Sequence, residues 1–193
     1  MRGAEVNRKT NETDIRMTLN LDGGTREIST GIGFFDHMMT AFAVHGGFGL
    51  SLDVKGDLEV DCHHTIEDVG IVLGKVIAEA VGDKRGIARF GSCLLPMDET
   101  LAECVLDISG RPYFVINGAE TLQIGSVGGF DCCMAEEFFR AVAMNSGLTL
   151  HLNIRYGRNA HHIIEAMFKA FARALKQAVV ISGNDILSSK GTL

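Results

Sequence analysis

Two short segments of the chain carry the pair His-His followed by a glutamate. They read DCHHTIED at residues 61–68 and NAHHIIEA at residues 159–166, and they hold four of the seven histidines in the chain. On a helix, His63 and Glu67 stand at i and i+4 on one face, whereas His64 is rotated by about 100° onto another. The second copy repeats this spacing with His161, His162 and Glu165.

This arrangement is typical of metal ligands. Adjacent histidines on one helix cannot easily bind the same ion, so each copy is expected to give its His-Glu pair to one ion and its second histidine to another. Two metal sites are therefore predicted. Nitrogen and carboxylate oxygen without sulfur suit manganese, iron, nickel or zinc. A single histidine at a helix start is more often a polar surface or capping residue, and the matched copies are what favours ligation.

The spacing also indicates one further ligand in each half of the chain. His37 lies 26 residues before His63, and Glu137 lies 24 residues before His161. Because the two residues occupy similar positions ahead of the two His-His pairs, each is a candidate ligand for its half.

The elements that must position these residues recur in the same order. Residues 14–29 are predicted to form a hairpin that turns at Gly23 and Gly24. No pattern is present in residues 182–193. Helical spacing and strand-like alternation predict helices over 34–45, 64–81, 133–147 and 161–180, and strands over 49–61, 93–118 and 148–157.

The shared order predicts a duplicated half-domain of strands, helix, strands and helix. We expect one domain over residues 1–193, with repeats at about 1–90 and 91–182 and a C-terminal tail at 183–193. Antiparallel strands beside two helices per half indicate an α+β fold. In this fold the helices of both halves would be packed between two mostly antiparallel sheets.

Composition narrows the classes of function. With 46% hydrophobic and 22% charged residues, the 193-residue chain is typical of a globular protein, and its formal net charge of -6 argues against a general binder of nucleic acid or anionic membranes. It has no signal-peptide pattern and no run of about 18 apolar residues, so a cytoplasmic location is expected. The five cysteines form no C-x-x-C pair, which argues against a disulfide framework or a thiolate zinc site.

Segments spread over nearly the whole chain form a more specific signature than any one motif. They are TGIGFFDHMMTAFAVHGGF, DCHHTIEDVGIVLG, KRGIARFGS, PMDETLAECVLDISGRPY, EEFFRAVAMNSGLTLHL, GRNAHHIIEAMFKAFARAL and the terminal SSKG. Together they resemble the imidazoleglycerol-phosphate dehydratase family of histidine biosynthesis. The resemblance implies a duplicated α+β half-domain, two Mn²⁺ ions per active site, and a large homo-oligomer, a 24-mer in that family, with metal sites at subunit interfaces.

The resemblance also implies how the ligands are grouped. His37, His63 and Glu67 would hold one ion together with His162 of a neighbouring subunit. His64, His161 and Glu165 would hold the other ion. Relatives often have a histidine as the fourth ligand of this second site, where the present chain has Glu137, and a carboxylate can also bind manganese.

The implied reaction is the removal of water from D-erythro-imidazole glycerol phosphate to give imidazole acetol phosphate, which is hydro-lyase chemistry. The proton removed lies on a carbon that no carbonyl acidifies, so the reaction needs an electron sink, which metal ions can supply. Glu12 is implied to contact the substrate and is our candidate proton carrier, while Glu165 is the rival carboxylate and Glu67 a further catalytic candidate. The other implied substrate contacts are His37 and His45, with Arg89, Arg111, Lys169, Ser189 and Lys190 for the phosphate.

Two other functions fit parts of this pattern. A dinuclear metallohydrolase acting on phosphate esters would also use paired ions and basic residues. A metal-storage or structural shell protein would use the histidines only to join subunits, but it offers no reason for Arg89, Arg111 and Lys169.

Overall fold

The computed structural model describes residues 2–193, and these contain four α-helices and ten strands. The helices are α1 (Gly33–Gly46), α2 (His63–Val81), α3 (Met134–Ser146) and α4 (Ala160–Ala178). The strands are β1 (Gly3–Lys9), β2 (Thr13–Asn20), β3 (Arg26–Ser29), β4 (Gly49–Gly56), β5 (Phe90–Met97), β6 (Thr100–Asp107), β7 (Tyr113–Asn117), β8 (Ser126–Val127), β9 (Phe130–Asp131) and β10 (Thr149–Tyr156).

Two four-stranded sheets repeat one topology. The first sheet has the order β1-β2-β4-β3, and the second has the order β5-β6-β10-β7. In each sheet the last pair is parallel and the other pairs are antiparallel. Each half therefore contains three strands, a helix, a strand and a helix, which confirms the predicted α+β fold with a duplicated half-domain. The second half alone inserts the small β8-β9 ribbon between its third strand and its first helix.

The predicted hairpin over residues 14–29 is wrong. Strand β2 pairs with β1 and with β4, while β3 pairs in parallel with β4. The observed hairpin is β1-β2, and β1 was not predicted. Its side chains alternate between exposed and half-buried positions at the edge of the sheet, so it lacks the strong apolar alternation that marks β2.

The helices lie between the two sheets and pack across the halves. Helix α2 covers β1 and β2, and α4 covers β5 and β6, but α1 packs against α4 and α2 packs against α3. Phenylalanine rings fill the space between the halves, with Phe35 and Phe138 at 5.4 Å and Phe42 and Phe171 at 5.6 Å between centroids. Gly74 brings α2 close to α3, since a Cβ atom there would lie 2.7 Å from the Val142 carbonyl oxygen.

All four helices start at the same end of the molecule. The rings of Phe34 and His161 are 4.9 Å apart at the starts of α1 and α4, and Cys62 Sγ accepts a hydrogen bond from Asp131 N–H just before α2 and α3. At the opposite end, Arg89 N–H donates to the carbonyl of Ala178 where α4 stops. We call these the helix-start end and the helix-stop end. No helix within residues 2–193 is long and apolar enough to cross a membrane.

Candidate functional site

His37, His161 and Glu165 converge at the helix-start end. Nε2 of His161 lies 3.2 Å from Oε2 of Glu165, and Nε2 of His37 lies 3.6 Å from the same oxygen. One ligand atom from each residue lies within 4.8 Å of the other two, and this is the one such group of three found among residues 2–193. Two imidazole nitrogens and a carboxylate oxygen are donors that a divalent transition-metal ion accepts, so the residues fit the metal that the sequence predicts.

This grouping within one chain differs from the ligand set that the family resemblance implies, which stays a prediction. Within one chain, His37 lies with His161 and Glu165 rather than with His63 and Glu67. The reason is the crossed helix packing, because α1 carries His37 against α4 and not against α2.

Glu165 is a buried carboxylate that keeps its charge. Glu165 is only 6% exposed, and its Oε1 atom accepts a hydrogen bond of 2.6 Å from Lys169 Nζ. Burial acts to raise the pKa of the Glu165 carboxyl, but the Lys169 hydrogen bond and charge, with His37 and His161, bring that pKa below its usual value. The group therefore offers a charged oxygen ligand at neutral pH.

The first His-His copy forms a more open pair. His63 Nε2 lies 3.4 Å from Glu67 Oε2, and both side chains are about half exposed. Glu137 is carried on α3, which packs against α2, but its carboxylate lies 3.5 Å from Arg140 on the same helix. The structure thus brings His63 and Glu67 together and leaves Glu137 outside any three-residue group in the described chain.

The second histidine of each copy turns away from its neighbour, as helical geometry predicts. His64 Nδ1 lies 2.9 Å from Asp57 Oδ2, and His162 Nδ1 lies 2.7 Å from Glu99 Oε2. These hydrogen bonds are the main reason that the pKa of each histidine is raised. The same bond to His162, with backbone N–H groups, lowers the pKa of Glu99 to about 2.

Asp57 and Glu99 were missed by the sequence analysis. Asp57 lies in a Lys-Gly-Asp turn and Glu99 in the turn between β5 and β6, where acidic residues are common and carry no spacing signal. Glu12 occupies the turn between β1 and β2, and its half-exposed carboxylate lies 3.8 Å from His64 Nε2.

The predicted phosphate-binding residues divide between the two ends. Lys169 lies at the helix-start side with Glu165. Arg89 and Arg111 lie at the helix-stop end, where Asp107 pairs with Arg89 at 2.7 Å and with Arg111 at 4.0 Å. Lys169 lies near the middle of α4, so about 14 Å of helix separates it from Ala178 at the helix-stop end, although the family resemblance groups it with Arg89 and Arg111.

The C-terminal tail reaches the helix-stop end, beside Arg89. Arg89 Nη1 donates a 2.7 Å hydrogen bond to the carbonyl of Leu187, and the Ser188 hydroxyl accepts from the N–H of Lys190. The exposed residues Ser189 and Lys190 therefore follow a segment fixed beside Arg89.

His45 lies in the last turn of α1 and is partly buried. Burial is the main factor that lowers the pKa of His45, and the nearby cations Lys169 and Arg173 lower it further. His45 is thus a neutral imidazole near neutral pH, suited to hydrogen bonding with a ligand.

The fold and the site define a class of duplicated α+β proteins in which histidine and carboxylate groups collect at the helix starts. A family model described as imidazoleglycerol-phosphate dehydratase matches residues 30–175. The chain belongs to the imidazoleglycerol-phosphate dehydratase family.

Relatives of this family cover the chain from end to end. Imidazoleglycerol-phosphate dehydratases from Acetivibrio thermocellus and Methanosarcina mazei are 55% and 54% identical to it, over 98% and 100% of this chain and 97% and 100% of theirs. The crystal structure of the Staphylococcus aureus enzyme matches with a TM-score of 0.84 at 42% identity, covering 93% of this chain and 99% of that one. The Pyrococcus furiosus structure matches with a TM-score of 0.83 at 34% identity, covering 97% and 100%.

Proposed function

We propose that the chain catalyses the Mn²⁺-dependent dehydration of imidazole glycerol phosphate to imidazole acetol phosphate, a cytoplasmic step of histidine biosynthesis. The observation that carries this proposal is the convergence of His37, His161 and Glu165 from both halves of a chain of this family. His63 and Glu67 offer the same donor types on α2. Bound Mn²⁺ would supply Lewis acidity at the imidazole nitrogens of the substrate.

The protein groups then have distinct tasks in the elimination. The C–O bond at the ring-attached carbon breaks, the hydroxyl leaves as water, and the neighbouring carbon loses a proton to give an enol that becomes the ketone. Glu12 is the proposed proton carrier, because its half-exposed carboxylate lies 3.8 Å from His64 Nε2 and can exchange protons with solvent. Glu165 is less suited to this task because it is buried and bonded to Lys169.

The separation of the cations supports a site shared between subunits. His161 and Ala178 lie near opposite ends of α4, about 25 Å apart at 1.5 Å per residue, and Arg89 is hydrogen-bonded to Ala178. The substrate has only three carbons between its imidazole ring and its phosphate oxygen, so it cannot reach both ends of one chain. Lys169 is closer, about 12 Å along α4 from His161.

We therefore propose that a complete active site joins the helix-start end of one chain to the helix-stop end of another. Arg89, Arg111, Ser189 and Lys190 would bind the phosphate of a substrate whose imidazole lies at the metal ligands of a neighbouring chain. A large homo-oligomer, such as the 24-mer implied by the family resemblance, would provide such contacts.

A single preparation tests the function. The metal-free protein is loaded with Mn²⁺ and incubated with imidazole glycerol phosphate, and imidazole acetol phosphate and free phosphate are measured together with bound metal. The proposal expects the dehydrated product, dependence on Mn²⁺ and no release of phosphate. Phosphate release would instead identify a hydrolase, and metal uptake without turnover would identify a storage or shell protein.

A further inference from the structure

The second histidine of each His-His pair is held by a carboxylate, but the two carboxylates come from different positions in the two halves. In the first half, Asp57 Oδ2 lies 2.9 Å from Nδ1 of His64. In the second half, Glu99 Oε2 lies 2.7 Å from Nδ1 of His162. The contact is the same in both halves, but the carboxylate that makes it is not at the equivalent position.

The repeated topology shows where the halves differ. Glu12 and Glu99 each directly precede the second strand of their half, and Asp57 and Gly157 each directly follow its fourth strand. The first half has an aspartate after that strand, and its turn glutamate, Glu12, stays 3.8 Å from His64 Nε2. The second half has Gly157 there, and its turn glutamate makes the histidine contact itself.

We propose that Asp57 and Glu99 are positioning residues that hold the Nδ1–H groups of His64 and His162 and so present the Nε2 atom of each ring to a metal ion. A neutral imidazole has one donor and one acceptor nitrogen. A carboxylate at Nδ1 keeps the proton there, fixes the ring and leaves the Nε2 lone pair free for an ion. This assignment deepens the proposed function and rests on it.

Glu99 also fixes the start of the helix that carries the ligands. Its Oε1 atom accepts hydrogen bonds from the N–H groups of Asn159 at 2.8 Å and Arg158 at 3.2 Å. Asn159 in turn accepts from the N–H of His161 as the N-cap of α4. One carboxylate therefore sets both the ring of His162 and the position at which α4 begins.

Asp57 has a matching link in the first half. Its backbone N–H donates to the carbonyl of Glu12 at 3.1 Å, so it connects the turn that holds Glu12 to His64. Glu12 and Glu99 occupy equivalent turns in the two halves but would have different roles. Glu99 positions His162, whereas Glu12 remains free to contact a substrate.

The test compares Mn²⁺ binding by metal-free preparations of the full-length chain in its native assembly state. The variants are Asp57→Ala, Asp57→Asn, Glu99→Ala and Glu99→Gln, with Asp53→Ala as a matched loss of an exposed carboxylate elsewhere on the first sheet. Free Mn²⁺ is followed by electron paramagnetic resonance, and kcat is measured at limiting and at saturating Mn²⁺.

Both alanine variants are expected to bind one class of Mn²⁺ about 10–100-fold more weakly, the usual effect of losing an outer partner of a metal ligand. The amide variants retain an oxygen acceptor and should lose much less, and Asp53→Ala should bind as the wild type does. Saturating Mn²⁺ should restore kcat in Asp57→Ala.

The outcomes separate this inference from the proposed function. Wild-type Mn²⁺ affinity in both alanine variants would overturn the positioning roles and leave the dehydratase proposal intact. A wild-type protein that binds no Mn²⁺ would remove both proposals. If Glu99→Ala fails to fold because α4 loses its anchored start, the Asp57→Ala and Asp57→Asn pair decides the question in the first half.

Discussion

Lys169 Nζ lies 2.6 Å from Oε1 of Glu165, whose other carboxylate oxygen faces His37 and His161. This ion pair joins successive turns of α4, and both side chains are largely buried. Lys169 therefore keeps the Glu165 carboxylate charged in a place where burial alone would favour the protonated carboxyl group.

Lys169→Met should shift Mn²⁺ binding to higher pH. Without the lysine, burial raises the pKa of Glu165, and protons compete with the ion for the carboxylate. Binding titrations between about pH 6 and pH 8 measure the shift, and Lys176→Met, at an exposed position in the last turn of α4, is the control. Tighter binding at every pH would mean that Lys169 acts only by repelling the ion.

Two variants that are each inactive should regain dehydration activity when they are mixed, if active sites are shared between chains. His161→Ala removes a proposed metal ligand at the helix-start end, and Arg111→Ala removes a proposed phosphate-binding cation at the helix-stop end. Mixed oligomers, formed by dissociating and reassembling the two proteins together, should regain dehydration because some sites then receive both intact halves. Activity no higher than that of the separate proteins would place each complete site within one chain.

Removing Ser188–Leu193 should raise KM for the phosphate substrate and leave bound Mn²⁺ nearly unchanged. These residues follow Leu187, whose carbonyl is bonded to Arg89. Lys190→Ala alone should raise KM roughly tenfold or more, since a hydrogen bond to a charged group is lost. Thr192→Ala is the matched control, and wild-type kinetics in the truncated enzyme would exclude a role for the tail.

Asp68→Ala should destabilise the metal-free protein. Asp68 is 8% exposed, pairs with Arg8, and accepts a 2.5 Å hydrogen bond from the Thr13 hydroxyl, which together fix the β1-β2 hairpin to α2. Removing the Asp68 carboxylate leaves Arg8 and Thr13 without their partner, which should lower the free energy of unfolding by roughly 2–3 kcal/mol. The loss is not larger because Arg8 keeps some access to water. Denaturant titration at fixed protein concentration measures this.

The control for that change is Asp14→Ala, which removes an exposed partner of Lys9. No measurable loss of stability is expected there. Because the hairpin turn carries Glu12, Asp68→Ala should also lower kcat in the folded enzyme, and an unchanged kcat would show that the turn keeps its place without Asp68.

Metal-free and Mn²⁺-loaded protein should respond oppositely to pH. Hydrogen bonds to Asp57 and Glu99 raise the pKa values of His64 and His162, with added effects from Glu12 and Asp61 on the first and from Asp98 and Glu165 on the second. The stability from a raised histidine pKa is fully present below about 6.5 and is lost as pH rises through the folded value. Glu99, with a pKa of about 2, stays charged throughout this window.

Melting temperatures at about pH 6 and pH 8 test the response. The metal-free protein should melt higher at the lower pH. The loaded protein should melt higher at the upper pH, because protons no longer compete with Mn²⁺ for the imidazoles. Equal shifts in the two forms would argue against His64 and His162 as ligands.

Helical periodicity predicted the parts of the site that lie on one helix. His161 and Glu165, and likewise His63 and Glu67, meet because residues at i and i+4 share a face. The approach of His37 to Glu165 could not be read from spacing, because it depends on α1 crossing to the helix of the other half.

For the fold as well, single elements were predicted better than the contacts between them. All four helices were found within a few residues, since their apolar stripes are long. The pairing of β3 with β4 and the existence of β1 were missed, because a short strand and a polar edge strand carry little apolar alternation of their own.

The common direction of the four helices makes the chain an object with two unlike poles. One pole offers imidazoles and carboxylates, and the other offers guanidinium groups and the tail. Joining like poles would give assemblies with mismatched half-sites, whereas pole-to-opposite-pole contacts use a different surface on each partner and continue until they close on themselves. If active sites are shared as proposed, an open arrangement would leave unmatched poles at its ends, so only a closed arrangement would make as many working sites as it has chains.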